Sequence, residues 1–258
     1  MSVKQNLDLT GRKAIVTGSS RGLGLQIAEG LGEMGAEVLL TARKLEELEQ
    51  AVAHLRSRGI VASAIPSDQS KPESIASFAD AALQRLGHVD ILVNNAGVNW
   101  AAPAEDYPLD AWLKLVNVNL TGVFLLTQAI GKRSMIPRGS GRIIVVASIA
   151  GLRGNPPNTN KMIAYNTTKG GLINFVRTLA GEWGPYGINV NAIAPGFFPS
   201  RMTRGLLAQI EPQLKAAAPL QRLGDDEDLK GAAVLFASDA GKHITGQILA
   251  VDGGVSAV

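Results

Sequence analysis

Residues 13–32 read KAIVTGSSRGLGLQIAEGLG, and this stretch decides the fold class. Its first five residues form a short apolar run, which predicts a buried strand that leads directly into closely spaced glycines. From Gly22 to Met34, apolar side chains recur at the spacing of one helix face. Strand, glycine turn and helix, in this order, form the first half of a βαβ unit, in which the helix N-terminus can face a phosphate.

Three glycines of this turn suit a site that binds a dinucleotide. Gly18 permits the tight turn, Gly22 lets backbone N–H groups approach a phosphate, and Gly24 permits close packing of the helix on the strand. The spacing is G-x-x-x-G-x-G instead of the more usual G-x-G-x-x-G. An ordinary turn between a strand and a helix would also contain glycine, but the place in the first βαβ unit favours dinucleotide binding.

The residues after the second predicted strand favour NADP(H) as that dinucleotide. A site for NAD(H) commonly has an Asp or Glu at the end of this strand, which binds the 2′-hydroxyl of the ribose. Residues 41–44, Thr-Ala-Arg-Lys, contain no carboxylate, and Arg21 lies in the glycine turn. The guanidinium groups of Arg21 and Arg43 suit a 2′-phosphate because they form charge-assisted hydrogen bonds. Alternatively, Arg43 and Lys44 only begin a solvated helix.

Strand-like and helix-like patterns alternate along the rest of the chain. The predicted strands are 13–17, 37–41, 60–65, 90–93, 142–147, 188–193 and 247–251. The predicted helices are 22–34, 44–58, 72–86, 108–132 with a break near 117–119, 164–183 and 225–238. This alternation predicts parallel strands with right-handed crossovers. We therefore expect an α/β fold: one doubly wound Rossmann domain over residues 1–258, with about seven parallel strands and helices on both faces.

Composition excludes several function classes. The 258 residues are 46% hydrophobic and 18% charged, which is enough apolar material for a core. With no cysteine, the chain has no disulfide, thiolate metal site or cysteine nucleophile. The formal net charge of +3 comes from scattered side chains, so no nucleic-acid partner is expected. His54, His88 and His243 lack ligand spacing, so no metal is expected.

Neither a leader nor a membrane anchor is expected from the sequence. Residues 1–10 lack a charged start followed by an apolar run, which is the pattern of a signal peptide. The apolar stretch at 143–150 is far shorter than the roughly 20 residues of a membrane span. We expect a cytoplasmic protein without a membrane partner.

Six motifs in order resemble the short-chain dehydrogenase/reductase family, from Leu9 to Gly254. They are residues 17–24, Asn94-Asn95-Ala96-Gly97, Asn119, Ser148, Tyr165-Asn-Thr-Thr-Lys169 and Pro195-Gly196. The resemblance implies an NADP(H)-dependent oxidoreductase that interconverts a ketone and a secondary alcohol. It also implies a homotetramer, because the family is usually tetrameric.

The predicted catalytic residues are Asn119, Ser148, Tyr165 and Lys169. Tyr165 and Lys169 are four residues apart on one helix face, and a nearby ammonium lowers the pKa of a phenol. Ser148 ends the fifth predicted strand, and its hydroxyl can bind a carbonyl oxygen that gains negative charge. The resemblance implies that Tyr165 is the general acid or base, Lys169 holds the nicotinamide ribose, and Asn119 anchors a water-linked proton relay. Alternatively, Tyr165 and Lys169 are an incidental surface pair, Ser148 is only a turn at a strand end, and Asn119 only marks a break in a helix.

The resemblance implies a set of cofactor contacts as well. The expected contacts are Gly18, Ser20, Arg21, Gly22, Leu23, Gly24, Arg43, Asp68, Gln69, Asn95, Ala96, Gly97, Tyr165, Lys169, Pro195, Gly196, Phe198 and Ser200. Asp68 matches a position that binds the adenine ring, although it could instead cap the following helix. Phe198 and Ser200 match positions that meet the nicotinamide carboxamide.

Two segments are expected to wall the substrate pocket. The interval from Ser148 to Tyr165 is longer than in many relatives, and its extra residues, 155–162, form either a wall or a surface insertion. The second segment is 197–215, with Met202, Leu206 and Leu207 on one helix face; Trp100 is a further candidate. These apolar residues suit a ketone with a hydrophobic body, or they are core packing.

The resemblance leaves the substrate open. Residues 195–204, PGFFPSRMTR, resemble 3-oxoacyl thioester reductases of the rhamnolipid type, whereas 53–65 and 225–254 are more similar to gluconate 5-dehydrogenases. Arg153 and Lys161 are candidates for binding a sugar-acid carboxylate, but Val98-Asn99-Trp100 offers no arginine pair after Gly97. We expect a 3-oxoacyl type ketoreductase. The alternatives are a sugar-acid or broad secondary-alcohol dehydrogenase and, in another class, a non-catalytic NADP(H)-binding module.

Overall fold

Seven strands form one sheet in the computed structural model, and every neighbouring pair is parallel. The structure describes residues 2–155, 161–199 and 204–258, with 204–209 as backbone alone. The strands are β1 (Lys13–Thr17), β2 (Glu37–Thr41), β3 (Ala62–Ala64), β4 (Ile91–Asn94), β5 (Gly141–Val146), β6 (Ile188–Pro195) and β7 (Ile248–Val251). Their order is β3-β2-β1-β4-β5-β6-β7, so the direction of winding reverses between β1 and β4.

Helices cover both faces of this sheet. They are α1 (Val3–Leu7), α2 (Gly22–Glu33), α3 (Leu45–Ser57), α4 (Pro72–Leu86), α5 (Leu109–Val116), α6 (Gly122–Ile130), α7 (Ile136–Arg138), α8 (Ile163–Trp183), α9 (Arg204–Ala217) and α10 (Lys230–Ala237). The predicted doubly wound α/β fold with a seven-stranded parallel sheet is confirmed.

The alternation of side chains along each strand divides the core into two layers. In β1, Val16 packs in one layer with residues of α2, α3 and α10, while Ile15 packs in the other with residues of α4, α6 and α8. Both side chains are fully buried. Because β1 is covered on both faces, it needs apolar residues at consecutive positions instead of alternating ones. This explains why the sequence shows a continuous apolar run there.

The predicted helix at 108–132 continues to Arg138. Two turns of π-helix, Asn117–Thr121 and Gly131–Met135, separate α5, α6 and α7. The first lies at the predicted break near 117–119. By length and composition alone, Leu109–Arg138 could cross a membrane. In the structure this run packs against the sheet, with Leu126 and Ile130 fully buried in the core.

Two predicted boundaries are wrong, and one short helix was not predicted. The strand predicted at 60–65 is only Ala62–Ala64, although the backbone N–H of Ile65 still donates a hydrogen bond to the carbonyl oxygen of Leu40 on β2. The helix predicted from residue 225 begins at Lys230. Asp228 accepts hydrogen bonds from the backbone N–H of Asp225 and from Arg222, which holds the preceding residues in a turn. The short helix α1 is absent from the predicted elements, although Ser2 and Gln5 form a capping box.

Candidate active site

A cavity of about 1200 Å³ lies at the carboxyl ends of the strands, beside the point between β1 and β4 where the winding reverses. Ligands of doubly wound folds bind at this place. Its wall is formed by the glycine turn, the end of β2, the loop after β4, the end of β5, one face of α8 and the loop after β6. The cavity therefore brings together segments from both halves of the chain.

Three glycines shape the turn between β1 and α2. A Cβ atom on Gly18 would lie 2.8 Å from the Cα of Ala96, and one on Gly24 would lie 2.5 Å from the carbonyl oxygen of Gly18. Gly22 has a positive φ of 56°, and a Cβ there would meet no atom within 4 Å. Close packing thus leaves no room for a side chain at Gly18 and Gly24, whereas at Gly22 the positive φ favours glycine. The open position at Gly22 leaves room for a phosphate at the start of α2.

Asn95 and Thr17 tie the loop after β4 to the glycine turn. The hydroxyl of Thr17 accepts hydrogen bonds from the backbone N–H groups of Asn95 and Ala96, both at 2.9 Å. The Asn95 side chain donates to the carbonyl oxygens of Thr17 (2.8 Å) and Gly18 (3.1 Å). Asn95 therefore uses its amide hydrogens to hold the turn, in addition to lining the cavity.

Tyr165 and Ser148 meet at the wall of the cavity. Ser148 follows β5, and its side chain caps the next short turn by accepting from the N–H of Ala150 at 3.1 Å. The side chains of Ser148 and Tyr165 are hydrogen-bonded. Burial raises the pKa of Tyr165, and the hydrogen bond with Ser148 opposes part of that rise. The phenol therefore carries its proton at neutral pH.

Lys169 lies one helical turn after Tyr165, with its side chain 4% exposed. Its Nζ is 5.7 Å from the centre of the Tyr165 ring and donates a 2.6 Å hydrogen bond to the carbonyl oxygen of Val146. Burial lowers the pKa of Lys169 to about 8. The group that lowers the pKa of Tyr165 in this structure is Ser148, so the effect of the Lys169 ammonium on the phenol stays a prediction.

Asn119 is fully buried in the π-helical turn after α5. Its Oδ1 accepts from the N–H of Val98 at 2.9 Å, and its Nδ2 donates to the carbonyl oxygen of Val98 at 3.0 Å and to the Thr168 hydroxyl at 3.2 Å. It thus joins the loop after β4 to α8. Asn119 is not among the described residues that line the cavity, but it is next to Gly97, which does: a Cβ added to Gly97 would be 3.6 Å from Asn119 Oδ1.

The end of β2 is rich in charged side chains. Arg21 and Arg43 line the cavity there, as predicted. Lys44 and Glu47 line it as well, and neither was predicted as a cofactor contact. The Nη1 of Arg21 is 2.8 Å from Glu47 Oε2. The only hint in the sequence is the spacing of Glu47 from Lys44, which places the two on one face of α3's first turn.

Asp68 forms a turn beside these cations. Its Oδ1 accepts from the backbone N–H and the hydroxyl of Ser70, at 3.0 and 2.7 Å. Burial raises the pKa of Asp68, but these hydrogen bonds and the charge of Arg43 outweigh it and lower the pKa. The alternative that Asp68 caps the following helix is wrong, because the N-cap of α4 is Lys71.

The cavity collects nearly all the predicted cofactor contacts. Seventeen of them line it: Gly18, Ser20, Arg21, Gly22, Leu23, Gly24, Arg43, Asp68, Gln69, Asn95, Ala96, Gly97, Tyr165, Lys169, Pro195, Gly196 and Phe198. Ser200, Met202, Leu206, Leu207 and most of 155–162 lie outside the part of the chain whose side chains the structure describes. Lys114 and Val118, one turn apart on the run from α5, line the cavity and were missed.

Four other predicted pocket residues lie elsewhere. In the described wall of the cavity, Trp100, Arg153 and Lys161 are absent. The carbonyl oxygen of Trp100 accepts from the Tyr107 hydroxyl, and its side chain is half exposed. Phe197 packs against a small apolar cluster of Ile149, Ala218 and Val255, which favours core packing over a pocket wall.

Known proteins resemble this chain over nearly its full length. Residues 18–256 match the family model described as enoyl-(acyl carrier protein) reductase. The chain is 37% identical over 258 residues to gluconate 5-dehydrogenase of Gluconobacter oxydans (strain 621H), with 99% of each chain covered. It is 38% identical over 253 residues to the rhamnolipids biosynthesis 3-oxoacyl-[acyl-carrier-protein] reductase of Pseudomonas aeruginosa, covering 95% of this chain and 96% of the relative.

A solved structure agrees with these similarities. The crystal structure of a gluconate 5-dehydrogenase from Burkholderia cenocepacia J2315, in complex with NADP and tartrate, superposes with a TM-score of 0.94. The two chains are 35% identical, and the alignment covers 100% of both.

Proposed function

The chain belongs to the short-chain dehydrogenase/reductase family, and from this premise we propose that it reduces 3-oxoacyl thioesters. It is an NADP(H)-dependent oxidoreductase that interconverts a ketone and a secondary alcohol. One observation carries the proposal: a hydrogen-bonded Ser148 and Tyr165, with Lys169 one turn away, line the same cavity as the glycine turn.

The cavity offers a fitting set of donors for NADP(H). The space at Gly22 and the N-terminus of α2 would hold the diphosphate. Arg21 and Arg43, with Lys44 next to Arg43, would hold the 2′-phosphate, and the wall at Asp68 and Gln69 would meet the adenine. At the other end of the cofactor, Phe198 would meet the nicotinamide carboxamide. The family resemblance proposes the same contact for Ser200.

The positions of the side chains support the catalytic roles that we propose. When bound, the reduced cofactor supplies a hydride to the carbonyl carbon. Tyr165 Oη donates its proton to the carbonyl oxygen, so the ketone gains one hydride and one proton and becomes a secondary alcohol. Ser148 donates a hydrogen bond to the same oxygen as negative charge develops on it. In the reverse direction Tyr165 accepts the proton.

Lys169 and Asn119 support this proton transfer. Lys169, held by the Val146 carbonyl, would bind the hydroxyls of the nicotinamide ribose with its remaining hydrogens. Asn119 fixes the loop after β4 against α8, and we propose that it also anchors the water-linked relay that returns a proton to Tyr165.

The charges of the cavity favour an acyl substrate over a sugar acid. A sugar-acid substrate needs a cation near its carboxylate. In the described wall, the cation close to Ser148 and Tyr165 is Lys169, and the predicted carboxylate ligands Arg153 and Lys161 do not line it. Arg153 instead lies near Asp252. Burial raises the pKa of Asp252, but hydrogen bonds from Ser256 and Gly254, together with the charge of Arg153, lower it.

A panel of substrates tests the proposal. We expect purified protein to oxidise NADPH with 3-oxoacyl thioesters faster than with 5-ketogluconate, small diketones or cyclic ketones. The Tyr165→Phe variant, which keeps the ring but cannot donate a proton, should bind NADPH and fail to turn over. Faster turnover of 5-ketogluconate than of 3-oxoacyl thioesters would overturn the proposed substrate class. NADPH binding without turnover of any substrate in the panel would favour a non-catalytic NADP(H)-binding module.

The second candidate function is oxidation of a sugar acid. It is favoured by the 37% identity to a gluconate 5-dehydrogenase over 99% of each chain. The discriminating measurement is the same panel, run in the oxidative direction with gluconate and NADP⁺.

We further propose a cytoplasmic homotetramer. Support comes from apolar side chains that remain exposed on one helical run: Leu109 is 70% exposed, Leu113 50% and Phe124 46%. Exposed apolar patches of this kind often mark a protein–protein interface. Sedimentation velocity of the purified protein would give about four times the chain mass.

A further inference from the structure

One carboxylate lies among the cations at the end of β2. Glu47, in the first turn of α3, places Oε2 2.8 Å from Arg21 Nη1 and Oε1 3.4 Å from Lys44 Nζ. The Ser20 hydroxyl donates to the same carboxylate at 3.5 Å. The Glu47 side chain is 25% exposed and lines the cavity. The hydrogen bond from Arg21 lowers the pKa of Glu47, so the group is anionic at neutral pH.

This place in the fold receives the 2′ position of the adenosine ribose. NADPH carries a phosphate there, and a phosphate monoester has a charge of about −1.5 to −2 at pH 7. The phosphate would need the N–H donors of Arg21 and Lys44 that Glu47 already uses. Two anions on the same cations repel each other, and only one of them can take the best hydrogen-bond geometry.

With NADH, this competition does not arise. The 2′-hydroxyl is neutral, so Glu47 keeps its ion pairs with Arg21 and Lys44. The carboxylate adds no repulsion to that complex. Glu47 therefore acts differently on the two cofactors, and a group that acts differently on two ligands determines the ratio of their affinities.

We propose that Glu47 is a specificity-determining residue, which competes with the 2′-phosphate for Arg21 and Lys44 and so limits the preference for NADPH over NADH. The inference rests on the proposed function, since it requires a dinucleotide in this cavity. A positioning role for Glu47 predicts the opposite result. If Glu47 oriented Arg21 for the phosphate, loss of Glu47 would weaken NADPH binding.

Direct binding measurements on the full-length protein test this inference. Titration calorimetry would give the Kd of NADPH and NADH for wild type and for Glu47→Gln. We expect Glu47→Gln to bind NADPH about two- to fivefold more tightly, which is the size of effect for a partly exposed charge pair. The Kd of NADH should change by less than about twofold.

Glu46→Gln is the matched control. Glu46 is exposed, lies in the same first turn of α3 and carries the same charge, but it contacts neither Arg21 nor Lys44 among the described ion pairs. We expect both affinities to remain within about twofold of wild type. An equal gain from Glu46→Gln would overturn the inference, because the effect would then come from net charge.

Removing Arg21 separates competition from general repulsion. In an Arg21→Ala background, Glu47→Gln should give a clearly smaller gain in NADPH affinity than in wild type. A gain of undiminished size would contradict competition for Arg21. Unchanged or weaker NADPH binding by Glu47→Gln in the wild-type background would overturn the inference while leaving the proposed function intact. If the wild-type protein binds neither nucleotide, the inference and the proposed function both fail.

Discussion

Tyr165 and Lys169 are ionisable side chains whose pKa values burial shifts in opposite directions. The pKa of Tyr165 is raised and that of Lys169 is lowered to about 8. In each case burial disfavours the charged form. A protonated phenol is the form that donates in ketone reduction. The resting site is therefore prepared for reduction, whereas oxidation requires the proton of Tyr165 to leave first.

The buried ammonium of Lys169 should cost stability at neutral pH. Its pKa is lowered from 10.5 to about 8, so the unfolded chain binds the proton more tightly. The penalty is fully present below pH 8 and disappears as the pH rises from 8 to 10.5. We expect Lys169→Met to be about 1–3 kcal/mol more stable than wild type at pH 7, and the difference to shrink towards pH 10.

Urea unfolding at several pH values measures this difference. The comparison between variant and wild type cancels the titration of other groups. Because Lys169→Met also loses the proposed ribose contact, its turnover should fall even though its stability rises. A difference that does not depend on pH between 8 and 10 would contradict the lowered pKa.

At the scale of elements, the packing of α2 on the glycine turn sets the geometry of the cofactor end. A Cβ on Gly24 would meet the Asn95 side chain and the carbonyl oxygen of Gly18. We expect Gly24→Ala to lower the free energy of unfolding by about 1–3 kcal/mol and to weaken NADPH binding, because the turn must shift.

Gly181→Ala provides the control for this prediction. Gly181 lies near the end of α8, and a Cβ there meets nothing within 4 Å. Alanine favours a helix over glycine by up to about 1 kcal/mol, so this variant should be as stable as wild type or more stable. Chemical unfolding and NADPH titration of both variants check the pair. Equal behaviour of the two would show that the close approach at Gly24 is unimportant.

Local patterns predicted most elements well, and side-chain contacts that hydrophobic periodicity does not reveal account for the errors discussed here. The helix predicted at 72–86 is Pro72–Leu86, because a proline at its first turn and a glycine after it mark its ends. The predicted start of α10 was wrong because the side chain of Asp228 holds a turn, which the hydrophobic periodicity of the sequence does not reveal. Glu47 was missed for a similar reason: its contact with Arg21 exists only once α3 packs beside the glycine turn.

At the scale of the whole molecule, a buried ion cluster joins α2 to α3 and α10. The Glu29 carboxylate is 2.6 Å from Lys230 Nζ, 2.7 Å from Arg58 Nη1 and 2.7 Å from His54 Nε2. Its side chain is 8% exposed. Burial would raise the pKa of Glu29, but hydrogen bonds from Lys230, His54 and Arg58 outweigh it and lower the pKa to about 2.

Removing this carboxylate should destabilise the protein without changing the chemistry of the site. We expect Glu29→Ala to cost about 2–4 kcal/mol at pH 7, since it withdraws a partner from buried Lys230. The contribution of Glu29 is present above pH 4.5 and is lost as the pH falls towards 2. The stability difference from wild type should therefore shrink in acid.

Glu33→Ala is the matched variant for this cluster. Glu33 lies one turn later on α2 and contacts the same Lys230 at 3.1 Å, but its side chain is 42% exposed. Its loss should cost less than about 1 kcal/mol. Urea unfolding at pH 7 and pH 3 compares the two, and a similar cost for both would contradict the importance of burial.

The most direct test follows the transferred atoms. The protein is given a 3-oxoacyl thioester and NADPH that carries deuterium at the transferred position, and the product is analysed by mass spectrometry. We predict a 3-hydroxyacyl thioester with one deuterium on the carbinol carbon, and none from Tyr165→Phe at saturating NADPH. Wild type that binds NADPH but yields no deuterated alcohol, or Tyr165→Phe that matches its rate, would contradict the proposed reduction.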